Sequence, residues 1–195
     1  MKLSCSVSLL CFLSLPFSGL ASETPETNGK LSIGDPIPAV AAADQDGKPV
    51  NLAEAAKAGY TLVYFYPKAM TPGCTAQACS LRDAYQDLEQ KGVKVYGVSL
   101  DTVTVQKEFQ SKENLPFELL SDTDHKVTSA FGVPLMKNSF ATRQAYLFKN
   151  GRLVWLDTKA STDKQAADVL AVLSGGSQNA GNKVDTGAKK PEAAN

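Results

Sequence analysis

Cys74 and Cys79, five residues apart in TPGCTAQACSLRD, are the side chains whose type and spacing point most directly to chemistry. Thr71-Pro72 reads as a helix entry, with a hydroxyl at the cap and proline just inside, and the helix is predicted to run to about Lys91 before Gly92 ends it. On a wheel of roughly 100° per residue, Ala78, Leu81, Tyr85 and Leu88 form one apolar stripe with Cys74 at its centre. Cys74 therefore lies in the first turn and faces the preceding strand. There, unpaired N–H groups and the positive end of the helix dipole favour the thiolate, the nucleophilic form. Cys79 is rotated from it by about 140°, which puts the two Cα atoms roughly 8 to 9 Å apart in an unbroken helix. A disulfide spans at most about 7 Å between Cα atoms. The pair cannot bond while the helix is intact, yet is near enough to bond if its first turn unwinds. One thiol that reacts and a second that collects the product fit that geometry. A permanent structural disulfide, common in exported proteins, fits it less well.

The elements that must position these thiols follow from the surrounding pattern. Tyr60 to Tyr66 is a short aromatic and β-branched run, predicted to be a strand buried on both faces, and Pro67, Pro72 and Gly73 prevent it from continuing. Val93 to Leu100 is a second such strand. With the helix between them they form a βαβ unit, so the strands should be parallel and the crossover right-handed. Upstream, Asp46-Gly47 reads as a turn between two short strands, and Asn51 with Glu54 caps a short helix ending near Gly59. Downstream, Asp101 or Thr102 caps a helix carrying Val105 and Phe109 on one face; Leu115 to Leu120 is a short strand; Asp122 begins a helix ending near Phe131-Gly132. Arg143 to Phe148 and Arg152 to Asp157 form a hairpin about Asn150-Gly151, and Ser161 caps a last helix through Leu173 that Gly175-Gly176 ends. The chain is thus read as α/β.

The segment PKAMTPGCTAQAC, preceded by YFY and followed by SLRD, resembles the active-site segment of peroxiredoxins, specifically the bacterioferritin-comigratory or Q-type subgroup. Pro67, Thr71 and Cys74 match the family's proline, threonine and peroxide-attacking cysteine, and Cys79 matches the subgroup's resolving cysteine. The likeness extends from about Leu31 to about Leu173. It implies a thioredoxin-like fold, a central mixed sheet flanked by helices with an N-terminal hairpin extension. It further implies a thiol-dependent peroxidase acting on hydrogen peroxide and organic hydroperoxides through a cysteine sulfenic acid. An intramolecular Cys74–Cys79 disulfide would resolve that acid, and a thioredoxin-like dithiol would reset the enzyme. No cofactor or metal is implied, and a monomer is expected.

Arg143 acquires a role from the same resemblance, since peroxiredoxins carry an active-site arginine at the beginning of this strand. In such a sheet the hairpin runs opposite to the parallel pair, so its start shares an edge with the parallel strands' carboxyl ends, where open α/β sheets bind ligands. Arg143 should then stand beside Cys74, Thr71 should accept from and donate to the peroxide, and Pro67 should shape the site and exclude water. One departure from many relatives is the stretch VPLMKNSFAT between Gly132 and Arg143, which is shorter and lacks their usual glycines.

Other features are read as structural. His125, the sole histidine, lies in SDTDHK without a second histidine to share a metal, and is assigned a surface or capping role. Trp155 is assigned to packing. A thiol–disulfide oxidoreductase on the same architecture usually separates its cysteines by two residues rather than four. A non-catalytic module of that fold would need neither Thr71 nor Arg143, and copper delivery would want soft ligands beyond the lone Met70.

With 195 residues, 20 basic and 20 acidic, the chain suits one domain plus tails, and its balance makes no electrostatic case for nucleic acid or anionic lipid. Residues 1–21 combine Lys2, an apolar run from Val7 to Leu15, Pro16, and small residues at Gly19 and Ala21, which reads as a cleaved export signal. That run is too short for a membrane span of roughly 30 Å. Cleavage would remove Cys5 and Cys11, leaving Cys74 and Cys79, and would place the protein in the periplasm or outside the cell. Residues 22–30 are a polar linker, 31–174 the folded domain, and 175–195 a disordered tail.

Overall fold

The computed structural model describes residues 29–175. The predicted signal, most of the predicted linker and nearly all of the predicted tail lie outside the described residues. Strands β1 (Ala41–Ala43) and β2 (Pro49–Asn51) form the expected hairpin about Asp44 to Lys48. Helix α1 (Leu52–Ala55) starts as expected, because the Asn51 side chain accepts from the Glu54 N–H at 3.1 Å. It stops well short of Gly59. The chain has to turn there into β3 (Tyr60–Phe65), and the Asn150 side chain holds the Gly59 N–H at 2.9 Å from the neighbouring hairpin turn.

The predicted long helix is two: α2 (Pro72–Asp83) and α3 (Tyr85–Gln90), divided at Ala84. No helix-breaking residue stands at the division. Beyond it Leu88 is fully buried and Tyr85 packs its ring 6.0 Å from Phe117. Strand β4 (Val93–Ser99) follows, then α4 (Val103–Glu113), capped by Thr102, whose hydroxyl accepts from Val105 N–H at 3.4 Å. Strand β5 (Glu118–Ser121) begins later than Leu115, since Asn114 ends α4 in the left-handed region and Pro116 follows.

Helix α5 (Lys126–Ala130) does not begin at Asp122. The Asp122 carboxylate accepts from the Val127 and Thr128 N–H groups, both at 2.8 Å, so it satisfies the helix start from outside the helix. His125 occupies the cap position in the left-handed region, half-buried, with no capping bond from its side chain. The segment without glycines forms a hairpin that the sequence reading missed, β6 (Leu135–Met136) and β7 (Phe140–Ala141), turning on Lys137 and Asn138, both at positive φ. The last hairpin is β8 (Gln144–Lys149) and β9 (Arg152–Asp157). Helix α6 (Gln165–Leu173) starts after Ser161, whose hydroxyl donates to Asp168 at 3.0 Å instead of capping.

Seven strands make one mixed sheet in the order β2-β1-β5-β4-β3-β8-β9. Strands β3, β4 and β5 are parallel; β8 runs antiparallel to β3, pairing Phe65 with Gln144. Alternation along these strands sends Leu62, Tyr64 and Tyr66 to one face and Val63 and Phe65 to the other. The first face is covered by α2, α3, α4 and α6, the second by α1, α5 and the N-terminal segment. The α/β architecture with an N-terminal hairpin joined to its sheet is therefore as expected.

Candidate active site

The register of β3 with β8 decides the site. Because Phe65 faces Gln144, the chain leaving β3 toward Cys74 and the chain entering β8 at Arg143 meet at the same sheet edge. Cys74 lies in the first turn of α2, buried among Leu62, Tyr64, Tyr66 and Ala78. Arg143 Nη2 donates to Cys74 Sγ at 3.4 Å, across 69 residues of sequence. A guanidinium is a permanent cation with several N–H donors, so it can hold a negative sulfur and still offer a donor to an incoming oxygen.

Gly73 makes the approach possible. A Cβ there would stand 3.3 Å from Arg143 Nη2 and 3.5 Å from Thr162 Cγ2, so a side chain would press on the guanidinium.

Gln77, fully buried, was not singled out from the sequence. Its Oε1 accepts from Arg143 Nη1 and its Nε2 donates to Gln165 Oε1 at 2.9 Å, so it orients the arginine and ties α2 to α6. One signal was available: Gln77 falls about 60° from Cys74 on the wheel, at the margin of the apolar stripe beside Leu88, and a polar side chain buried there needs partners. A second connection joins the two helices, from Ala166 N–H to Ser80 Oγ at 3.3 Å.

The loop between β3 and α2 is fixed from the far side. Asp101 accepts from the Ala69 N–H and the Ser99 hydroxyl, each at 2.8 Å. Gln106 donates to Ser99 and accepts from the Tyr66 hydroxyl. Met70 is thereby held at positive φ, an uncommon conformation for a side chain of its size. Pro67 opens this loop, half-buried. Thr71 stands at the helix cap, but its hydroxyl donates to Lys68 O at 2.9 Å and does not cap, contrary to the local reading. It makes no hydrogen bond to Cys74 or Arg143.

Cys79 is half-buried, unbonded to Cys74, and turned toward α4, where its thiol donates to Glu113 Oε2 at 3.7 Å. Burial first, and the Glu113 carboxylate with it, pushes the Cys79 thiol up from its ordinary value; Arg82 acts in the opposite sense. Trp155 is buried as packing predicted, although its Nε1 finds no partner.

Residues 33–155 match the AhpC/TSA family. The chloroplastic peroxiredoxin Q of Oryza sativa subsp. japonica is 39% identical over 148 residues, covering 74% of this chain and 68% of that protein. Peroxiredoxin Bcp of Escherichia coli K12 is 52% identical over 103 residues, 53% of this chain and 65% of that protein. Among solved structures, the bacterioferritin comigratory protein of Xanthomonas campestris, studied for alkyl peroxide reduction, superposes with a TM-score of 0.67 at 27% identity, covering 74% of this chain and 98% of that one. The chain belongs to the AhpC/TSA family as a thiol-dependent peroxidase of the peroxiredoxin kind.

Proposed function

We propose that the chain reduces hydroperoxides through Cys74, with Cys79 as the resolving thiol and a thioredoxin-like dithiol as reductant. The observation that carries this reading is the 3.4 Å hydrogen bond from Arg143 to Cys74 Sγ in the first turn of α2. The Cys74 thiolate attacks the terminal peroxide oxygen, the O–O bond breaks, and the departing alkoxide or hydroxide takes a proton from water. Arg143 stabilises charge on the departing oxygen, and the Gly73 and Cys74 N–H groups at the helix start supply further donors. Thr71 offers hydroxyl lone pairs, and Pro67 bounds the site.

The resulting sulfenic acid condenses with Cys79: an S–S bond forms, the S–O bond breaks and water leaves. For the thiols to meet, α2 must unwind locally. That releases the Gln77–Gln165 and Ala166–Ser80 connections and the Cys79–Glu113 contact. An incoming dithiol then attacks the disulfide and the helix re-forms. The N-terminal pattern supports export to the periplasm, where this cycle would serve antioxidant defence; fractionation finding the protein wholly in the cytosol would refute the location.

Peroxide consumption coupled to thioredoxin oxidation tests the cycle. Cys74→Ser is expected to abolish turnover, and undiminished turnover would end the assignment. Cys79→Ser is expected to permit one turnover and leave Cys74 as sulfenic or sulfinic acid by mass spectrometry. Continued thioredoxin-supported cycling of that variant would remove Cys79 from the mechanism.

A further inference from the structure

The second thiol does not rest in open solvent. Cys79 projects from α2 toward the last turn of α4, where its sulfur lies 3.7 Å from Glu113 Oε2. That carboxylate is not there by accident of a mobile chain end. Asn114 closes α4 in the left-handed region, and Arg82 Nη1 donates to the Glu113 carbonyl at 2.7 Å, fastening the end of α4 to α2. The charged groups facing Cys79 are Arg82 and Asp83 from its own helix and Glu113 from α4. Arg82 is divided between two partners: its Nε and Nη2 engage Asp83, both at 2.8 Å, while Nη1 goes to the Glu113 backbone. Its N–H donors are thus committed to Asp83 and the Glu113 backbone, and its charge, which favours the thiolate, is opposed by burial and by Glu113, which points a carboxylate oxygen at the sulfur.

We propose that Glu113 is a positioning residue for the resolving step: it accepts the Cys79 S–H and holds this thiol protonated and unreactive for as long as α2 stays wound. The inference rests on the resolving role assigned to Cys79 above. A thiol is a weak nucleophile and a thiolate a strong one, so a neighbouring carboxylate withholds Cys79 from peroxide and from unintended disulfide exchange. The raised position of the Cys79 thiol agrees with this arrangement. Unwinding of α2 carries Cys79 away from Glu113, and the restraint is lifted as the thiol comes within reach of the Cys74 sulfenic acid. The condensation balances without any further reagent: Cys79 loses its proton to solvent, its sulfur bonds to Cys74, and hydroxide leaves and is protonated to water. Restraint and unwinding are coupled because one contact serves both.

The test is the pH dependence of alkylation of Cys79 by iodoacetamide, read by peptide mass spectrometry in the full chain carrying Cys74→Ser. Glu113→Gln keeps a hydrogen-bond acceptor of the same size and removes the charge. It is expected to move the alkylation midpoint to lower pH and to raise the rate at neutral pH about threefold or more, as loss of an adjacent like charge from a half-buried group should. Glu113→Asp, which keeps the charge, is expected to restore most of the original midpoint. Asp83→Asn, which removes an exposed charge already paired with Arg82, is expected to move it less than Glu113→Gln. A midpoint unchanged in Glu113→Gln, or moved equally by Asp83→Asn, would overturn the inference while leaving the peroxidase reading intact. Oxidation of the unsubstituted chain by one equivalent of peroxide tests that reading separately: failure to form a Cys74–Cys79 disulfide would overturn the resolving role on which the inference stands.

Discussion

The two faces of the central sheet are built from alternate residues of the same strands, yet they are packed in different ways. Under α1 and α5, Phe65, Phe131, Tyr146 and Phe148 meet edge to face, with ring centroids 5.3 to 6.0 Å apart. The face under α2, α4 and α6 is as deeply buried and carries Gln77, Gln106, Gln165 and Ser99 among its apolar side chains; the other face carries Thr61, Asp122, Thr128 and Gln144, and the two differ in how their polar groups are satisfied. Four buried side-chain polar atoms among the described residues have no partner, and three of them, on Tyr64, Trp155 and Gln165, belong to the face under α2, α4 and α6. Each such group costs on the order of 1–3 kcal/mol. One face is a fixed support, and the other carries a helix that the proposed cycle must repeatedly open. Low local stability is what such a segment needs.

The largest effect expected from this contrast is on the support. Phe131→Ala removes a ring at the centre of the edge-to-face cluster and is expected to destabilise the fold by about 3–5 kcal/mol, measured by urea unfolding. The rate of Cys74 oxidation per folded molecule should be unchanged. A variant that slowed this rate without lowering stability would erase the distinction between the faces.

Next comes Arg143→Ala, on the opposite face. It is expected to slow peroxide oxidation of Cys74 by about 10² or more in stopped-flow measurements, the range seen for loss of a transition-state donor. A rate within a factor of two of the original would make Arg143 structural.

The smallest effect is the sharpest comparison, because it uses one residue type on both faces. The Tyr64 hydroxyl is buried without a partner, whereas the Tyr146 hydroxyl donates to Gln144 Oε1. Tyr64→Phe is therefore expected to be neutral or to stabilise by up to about 1 kcal/mol, and Tyr146→Phe to cost about 1 kcal/mol. Equal changes of the same sign in the unfolding midpoints would show that the two faces do not differ in polar satisfaction.

Much of the site was legible in the sequence where the information is local. Proline at the first turn, an apolar stripe through Cys74, and a five-residue step to Cys79 together describe a helix with one buried thiol and one turned away. Asn51 and Thr102 announce their caps in the same manner. Local reading failed where a different partner nearby in the chain took the same atoms. Asp122 reaches past its turn to Val127 and Thr128, Ser161 is taken up by Asp168, and the Thr71 hydroxyl goes to Lys68 O. The division of the long helix at Ala84 carries no breaker residue and was not legible in the sequence.

By itself, the sequence determined that Cys74 would sit at a helix start behind a buried strand, because periodicity and capping act over a single turn. Arg143 was recoverable from a resemblance and from strand order. The tertiary structure alone decided what surrounds each sulfur: Gln77 held by Gln165 across 88 residues, Ala69 by Asp101 across 32, Cys79 facing Glu113 across 34. The physical reason is that a hydrogen bond is specified to a few tenths of an ångström, whereas a sequence pattern specifies only which face of an element a residue occupies.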